Sequence, residues 1–302
     1  MPPIKNSYYR LLKLNWEEVA EEIGSLLAAR IAEMHTRGLV IGISGGLDSA
    51  VVSFLGVKAL GAHKVKGLFL PERDTEATSR HHARLIAEKG GFSLKEIDLT
   101  PPLEKLGCYR GTVAQLTRSK AITRLAFWSL QHLFQIDPYQ VTLGETVSAA
   151  LNQAIAFYRL KQRLRMAVLY QYAEQAALSV AGCLNRTELL TGFFVPHGDN
   201  AADLAPLLPL YKSQVRQLAI HLGVPKPIID KSPSPDLFPG ITDERALGIP
   251  YEELDLILYS LQQGLSPPDI AGHFNISLAK VKKIKKLVEL SKKNRQITEP
   301  IF

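Results

Sequence analysis

The sequence predicts an α/β protein: a doubly wound parallel sheet with helices on both faces, followed by C-terminal helices. Three observations carry this prediction. Between residues 39 and 99, short apolar runs alternate with helical stretches as strand, helix, strand, helix, strand. That rhythm implies right-handed crossovers and parallel pairing. A long helical stretch over 152–175 then leads into a further apolar run, Ala177 to Gly182. A turn of small residues, Ser44-Gly45-Gly46, joins the first strand directly to its helix.

The elements follow in order. Asn15 and Glu18 have capping-box spacing and open a helix running towards Thr36. Leu39-Val40-Ile41-Gly42-Ile43 is apolar throughout, as a strand covered on both faces requires. Asp48 to Leu60 is the next helix, Lys66 to Leu70 the second strand, Glu76 to Lys89 a helix and Ser93 to Leu99 the third strand. Pro101-Pro102 breaks this rhythm, and residues 100–151 show no catalytic pattern beyond a helix carrying Trp128, Leu130, Leu133 and Phe134. The helix over 152–175 carries Arg159, Lys161, Arg163 and Arg165 on a polar face. Pro, Gly and Asp crowd residues 196–209 and 231–240, which marks loops where function concentrates. A basic helical region, 266–295, closes the chain, and residues 1–302 read as one domain.

The chain has 302 residues and a net charge of +7. Lys280 to Arg295 holds eight basic residues against Glu289 alone, so the remainder is neutral. A neutral body with one basic helix is not a generally basic nucleic-acid coat. Cys108 and Cys183 make neither a disulfide framework nor a zinc signature. No apolar run approaches the ~20 residues of a spanning helix, and MPPIKNSYYR has no signal core. A cytoplasmic protein with no membrane partner is expected.

The turn at Ser44 carries the most chemistry. A strand that runs through small residues straight into a helix aims backbone N–H groups and a helix dipole at one point, where an anion is favoured. Gly45 and Gly46 let the backbone approach phosphate oxygens, and Ser44 and Ser49 add hydroxyl donors. Asp48 would repel a phosphate unless a cation stands between them, so it implies Mg²⁺. The spacing is neither that of the nucleoside-triphosphate P-loop nor that of the dinucleotide turn. Ser44 to Ser49 resembles the pyrophosphate loop of the N-type ATP pyrophosphatases, which break ATP between its α and β phosphates.

The second half narrows the resemblance. Gly182 to Glu188, Gly192-Phe193-Phe194, Gly198-Asp199, Asp203, and Tyr211 to Arg216 are similar to NAD synthetases. So are Pro233 to Leu237, Thr242-Asp243-Glu244 and Tyr251 to Asp255. The likeness is collinear over 15–99 and 152–300, whereas 100–151 matches nothing in that pattern. It implies an adenine nucleotide alpha hydrolase-like fold and ATP-dependent amidation of nicotinate adenine dinucleotide (deamido-NAD) to NAD. The reaction would pass through an NAD-adenylate, release AMP and pyrophosphate, and take free ammonia as nitrogen donor. A homodimer is implied, and a separate glutaminase subunit is left open.

Carried over residue by residue, Ser44, Gly45, Gly46, Asp48, Ser49, Cys183, Lys212 and Ser234 would bind ATP. Asp48 and Glu188 would ligate Mg²⁺, and Asp48 and Lys212 would be catalytic. Arg163, His197, Asp203, Lys293 and Arg295 would bind the dinucleotide. The departures fall mainly on the acceptor side, although Cys183 stands where the family has an ATP-contacting threonine. Cys183 replaces a threonine, Leu184 a glycine or polar residue, and Pro196 a lysine, with His197 adjacent. Lys293-Asn294-Arg295 stands for a His-Lys-Arg run. Two other readings are weighed. One is a pyrophosphatase with another acceptor, amide-forming or RNA-modifying. The other is a nucleotide-sensing DNA-binding regulator, because Pro268 to Ser277, followed by Val281 and Ile284, looks like a helix-turn-helix.

Overall fold

A computed structural model describes residues 14–110, 149–232 and 242–295. The expected helix carrying Trp128 and the proposed ATP contact Ser234 lie outside the described residues.

Helix α1 spans Trp16–Glu33. The expected capping box is not made: Asn15 supplies its backbone carbonyl to Val19 N–H at 3.0 Å, but its side chain makes no cap bond. The helix also ends short of Thr36, because His35 turns to a positive φ of 55°. Strand β1 (Leu39–Gly42), helix α2 (Leu47–Leu60), strand β2 (Val65–Phe69), helix α3 (Ala77–Gly90) and strand β3 (Ser93–Glu96) follow the expected order. The strands are slightly shorter than the apolar runs, although Ile43 N–H still reaches Leu68 O at 2.8 Å. After α4 (Thr100–Lys105), the long helix α5 (Ala149–Ala176) leads into β4 (Ser179–Ala181). Short helices α6 (Arg186–Thr191), α7 (Lys212–His221), α8 (Lys226–Ile229) and α9 (Asp243–Leu247) precede α10 (Tyr251–Gln262), α11 (Pro267–Phe274) and α12 (Leu278–Arg295).

Among the described residues, the four strands of the sheet are parallel, in the order β3-β2-β1-β4. Leu39 of β1 pairs with Val65 of β2 on one side and Ser179 of β4 on the other. The chain therefore builds outward from β1 in one direction, then returns to lay β4 on its opposite flank. Between β1 and β4 lies the switch point at which loops diverge and a crevice opens.

Alternation along β1 divides the core. Leu39, Ile41 and Ile43 join Ala20, Leu27, Leu55 and Leu218 on one face. Val40 joins Met166, Leu169 and Val180 on the other. Helices thus cover both faces, as predicted. A third core joins Leu190 of α6 to Leu254 and Ile257 of α10, Ile270 and Phe274 of α11, and Val281 and Ile284 of α12. The helix-turn-helix is real in geometry, with Asn275 in the left-handed region at its turn. Its inner faces are spent on this core, at about 1.5–3 kcal/mol for each large side chain withdrawn from water. Among the described residues, no helix is long and apolar enough to cross a membrane.

Candidate active site at the switch point

A cleft of about 260 Å³ opens at the C-terminal ends of β1 and β4. Ser44, Asp48, Ser49 and Glu188 line it, with Leu68 to Leu70, Met166 and Leu169 forming an apolar floor. Gln162 and Arg165 of α5 also line it.

The turn after β1 is shaped by glycine. Gly45 has φ 78°, and a Cβ there would lie 2.5 Å from Ser79 O in the first turn of α3. Only glycine fits a left-handed residue pressed so closely on backbone. Gly46 N–H donates to Ser44 Oγ at 3.2 Å, and Ser49 Oγ donates to Gly46 O at 3.0 Å. The hydroxyls of Ser44 and Ser49 are 3.2 Å apart across the turn.

Asp48, in the first turn of α2, accepts on both oxygens. Asn185 Nδ2 donates to Oδ1 at 3.0 Å, and Lys212 Nζ donates to Oδ2 at 2.5 Å. Lys212 Nζ also stands 3.5 Å from Glu188 Oε1. Asn185 and Glu188 form a capping box on α6: Glu188 N–H donates to Asn185 Oδ1 at 3.0 Å, and Asn185 N–H to Glu188 Oε2 at 3.3 Å. Glu188 is thus both a first-turn helix acid and part of the charge cluster. Lys212, at the start of α7, is buried rather than a solvated helix residue.

Enclosure sets the proton affinities. Burial raises the Glu188 carboxyl above the usual carboxylate range, and the ammonium of Lys212 pulls it back towards the charged form. Burial alone would depress Lys212, but Asp48 and Glu188 outweigh it and hold the ammonium above the usual lysine range. Burial first, then Asp48 and Glu188, raise the Cys183 thiol well above its ordinary value. Cys183 is therefore a protonated thiol in the cleft wall, not a nucleophile. Asp199 lines the same cleft, and burial lifts its carboxyl to about 6.

Among the described residues, no group of three or more His, Cys, Asp or Glu side chains could hold a metal ion. What the site has is two carboxylates, Asp48 and Glu188, facing one ammonium. A Mg²⁺ ion is commonly held by one or two carboxylates with substrate phosphates completing the shell, so this donor set fits it.

Other predicted residues sit elsewhere. Arg163 Nε donates to Pro196 O at 3.1 Å, which ties a residue matching the family pattern to one that departs from it. Asp203 accepts from Val180 N–H at 2.7 Å and from Tyr170 OH at 3.0 Å, closing the outer edge of β4. His197 is exposed at φ 60°. Lys293 is exposed, and Arg295 donates to Val288 O of its own helix at 2.8 Å. None of these five lines the cleft.

The supposed basic face of α5 is two faces, since residues two apart on a helix point in nearly opposite directions. Lys161 pairs with Glu72 at 3.0 Å and Asp74 at 2.9 Å, while Tyr109 OH donates to Glu72 at 2.7 Å. Arg165 reaches Leu70 O at 3.3 Å and enters the cleft wall. Sequence reasoning missed Asn185, Gln162 and the apolar floor as parts of a site. Asn185 lies just past the end of β4, whereas Gln162 sits mid-helix and carries no local signal.

Comparison with known proteins gives the family and the fold. The family model for NAD synthase matches residues 19–123 and 116–298, so the matched stretch runs through 100–151. An NH(3)-dependent NAD(+) synthetase of Thermotoga maritima is 41% identical over 278 residues, covering 91% of this chain and 96% of the relative. One from Methanocaldococcus jannaschii is 34% identical, covering 93% and 95%. Among solved structures, an NMN synthetase from Francisella tularensis superposes with a TM-score of 0.71 at 28% identity, covering 96% of this chain and all of that one. An NH3-dependent NAD synthetase from Campylobacter jejuni gives 0.69 at 19% identity, a likeness of fold.

Proposed function

The chain belongs to the NAD synthase family, and from that premise we propose that it is an ammonia-dependent carbon–nitrogen ligase converting nicotinate adenine dinucleotide to NAD. The observation that carries the reading is Lys212 held between Asp48 and Glu188 at the mouth of the β1 turn.

A free carboxylate is a poor electrophile with a poor leaving group, and adenylation remedies both. The nicotinate carboxylate attacks the α-phosphorus of ATP, and the bond to the β-phosphate oxygen breaks as pyrophosphate leaves. Ammonia then attacks the acyl carbon of the NAD-adenylate, AMP departs with the electron pair, and nitrogen loses a proton to solvent. In this reading Ser44 to Ser49 and the N-terminus of α2 cradle the phosphates. Asp48 and Glu188 hold Mg²⁺, which supplies neutralisation of the phosphate charge when bound. Lys212 meets the negative charge that develops on the departing pyrophosphate. The floor of Leu68, Met166 and Leu169 offers the adenine ring an apolar seat.

Arg163, His197, Asp203, Lys293 and Arg295 are proposed to bind the dinucleotide, and Ser234 to contact ATP. Because the first five do not line the cleft, the reading includes a homodimer in which one protomer's residues complete its partner's acceptor site. The test is product analysis with the dinucleotide, ATP, Mg²⁺ and ammonium. AMP, pyrophosphate and NAD should appear in equal amounts, and absence of NAD would overturn the acceptor. Nicotinate mononucleotide belongs in a parallel arm, given the name of the Francisella tularensis neighbour. Turnover on glutamine equal to that on ammonium would overturn the nitrogen source.

A further inference from the structure

We propose that Asp255 is a positioning residue for this site: a buried carboxylate that fixes Glu188 and Lys212 relative to each other through Thr187 and the first N–H groups of α7. This rests on the phosphate-site reading above and adds to it a residue that touches neither phosphate nor metal.

Asp255 lies on α10 and is wholly buried. Thr187 Oγ1 donates to Asp255 Oδ1 at 2.5 Å. The same Thr187 oxygen accepts Lys212 N–H at 2.9 Å, and Ser213 N–H donates to Asp255 Oδ2 at 2.8 Å. The direction of the relay is settled by its ends. An amide N–H can only donate, so Thr187 accepts from Lys212 and spends its own proton on Asp255.

The consequence is geometric. Thr187 directly precedes Glu188 on α6, and Lys212 and Ser213 open α7. One carboxylate therefore grips the starts of the two helices that deliver Glu188 and Lys212 to Asp48. α7 offers Asp255 a backbone N–H and α6 a side-chain hydroxyl, so both arms of the grip require an acceptor oxygen. The remaining strut is Asn185, which links Asp48 to the same turn of α6. Asp255 does not line the cleft, so its effect is transmitted through Thr187 and Lys212 and not through contact with substrate.

Asn at 255 offers one acceptor and one amide donor. In either orientation one arm of the grip meets a donor where it needs an acceptor, while size and shape are kept. The test measures binding of Mn²⁺ in the presence of ATP by electron paramagnetic resonance, with circular dichroism confirming the fold of each variant. Asp255→Asn and Thr187→Val should each weaken Mn²⁺·ATP binding about tenfold or more, the range found when outer-sphere partners of a metal site are removed. Their double variant should lose little beyond either single one. Thr187→Ser, which keeps the hydroxyl, should bind close to wild type. Ser260→Ala, which removes a buried hydroxyl bonded to Leu256 O within α10, should change nothing.

Wild-type affinity in both Asp255→Asn and Thr187→Val would overturn the proposal. So would an equal loss in Ser260→Ala, since that would be general softening of α10. Failure of the wild type to bind Mn²⁺·ATP at all would bring down the phosphate-site reading and this proposal with it. Intact Mn²⁺·ATP binding without amidation would overturn only the proposed acceptor.

Discussion

Lys212 and Asp48 are 164 residues apart in the chain and 2.5 Å apart in the site. The contact spans the switch point: Asp48 follows β1, and Lys212 comes from the helix reached only after β4 is laid. With Glu188 at 3.5 Å, the ammonium is the counter-ion of two partly enclosed carboxylates.

Lys212→Met leaves Asp48 and Glu188 facing each other without compensation. Breaking a buried pair by removing one partner costs about 3–5 kcal/mol. The Tm should fall in metal-free buffer, and added Mg²⁺ should restore part of it. AMP production should drop at least about 100-fold, as for loss of a preorganised charge-stabilising group. An unchanged Tm in EDTA would show that Lys212 is not the counter-ion.

The two glycines of the turn should not respond alike. A methyl at Gly45 meets Ser79 O at 2.5 Å and His82 Cβ at 3.1 Å, at a positive φ. A methyl at Gly46 meets only Ser44 Oγ, at 3.2 Å. Gly45→Ala should cost about 1–3 kcal/mol in thermal unfolding of the ligand-free protein, and Gly46→Ala much less. Equal losses would mean that the approach of α3 does not select glycine at position 45.

Asp255 gives a pH signature. Burial lifts its carboxyl to about 6, against the pull of Thr187 and Ser213, from an ordinary 3.8. A raised folded-state value means that the folded protein holds more protons than the unfolded chain between those two values. Its stabilising contribution is complete below about pH 4 and lost as pH rises through about 6, by about 3 kcal/mol at most. Denaturant unfolding at pH 4 and pH 7 should therefore show a smaller fall in stability for Asp255→Asn than for wild type. A fall of the same size in both would assign the pH dependence to other groups.

Cys183→Ser should leave amidation within about threefold, under 1 kcal/mol of barrier, because the thiol is protonated and acts as wall. Loss of all turnover on substitution would point instead to sulfur chemistry.

Charge reversal at Lys293 and Arg295 tests the basic terminus. If those residues complete an acceptor site across a dimer, the KM for the dinucleotide should rise while that for ATP stays put. Equal changes in both, or none, would count against that role.

The sequence by itself determined the parallel α/β rhythm, the Ser44 to Ser49 turn and the family, because each is a local or collinear pattern. Continuous apolar runs announce strands covered on both faces, and small residues between strand and helix announce an anion turn. The concentration of charge in Lys280 to Arg295 was equally legible. What faces what was decided only by the tertiary structure. The strand order β3-β2-β1-β4, the capture of Lys212 by Asp48, the split of the α5 basic residues and the grip of Asp255 on two helix starts all join segments far apart in the chain. A buried polar residue has the same letter as a solvated one, and hydrogen bonds between remote segments leave no period in the sequence. Lys212 shows the difference: one lysine among many in the chain, it becomes a counter-ion only when the crossover brings it beneath Asp48 and Glu188.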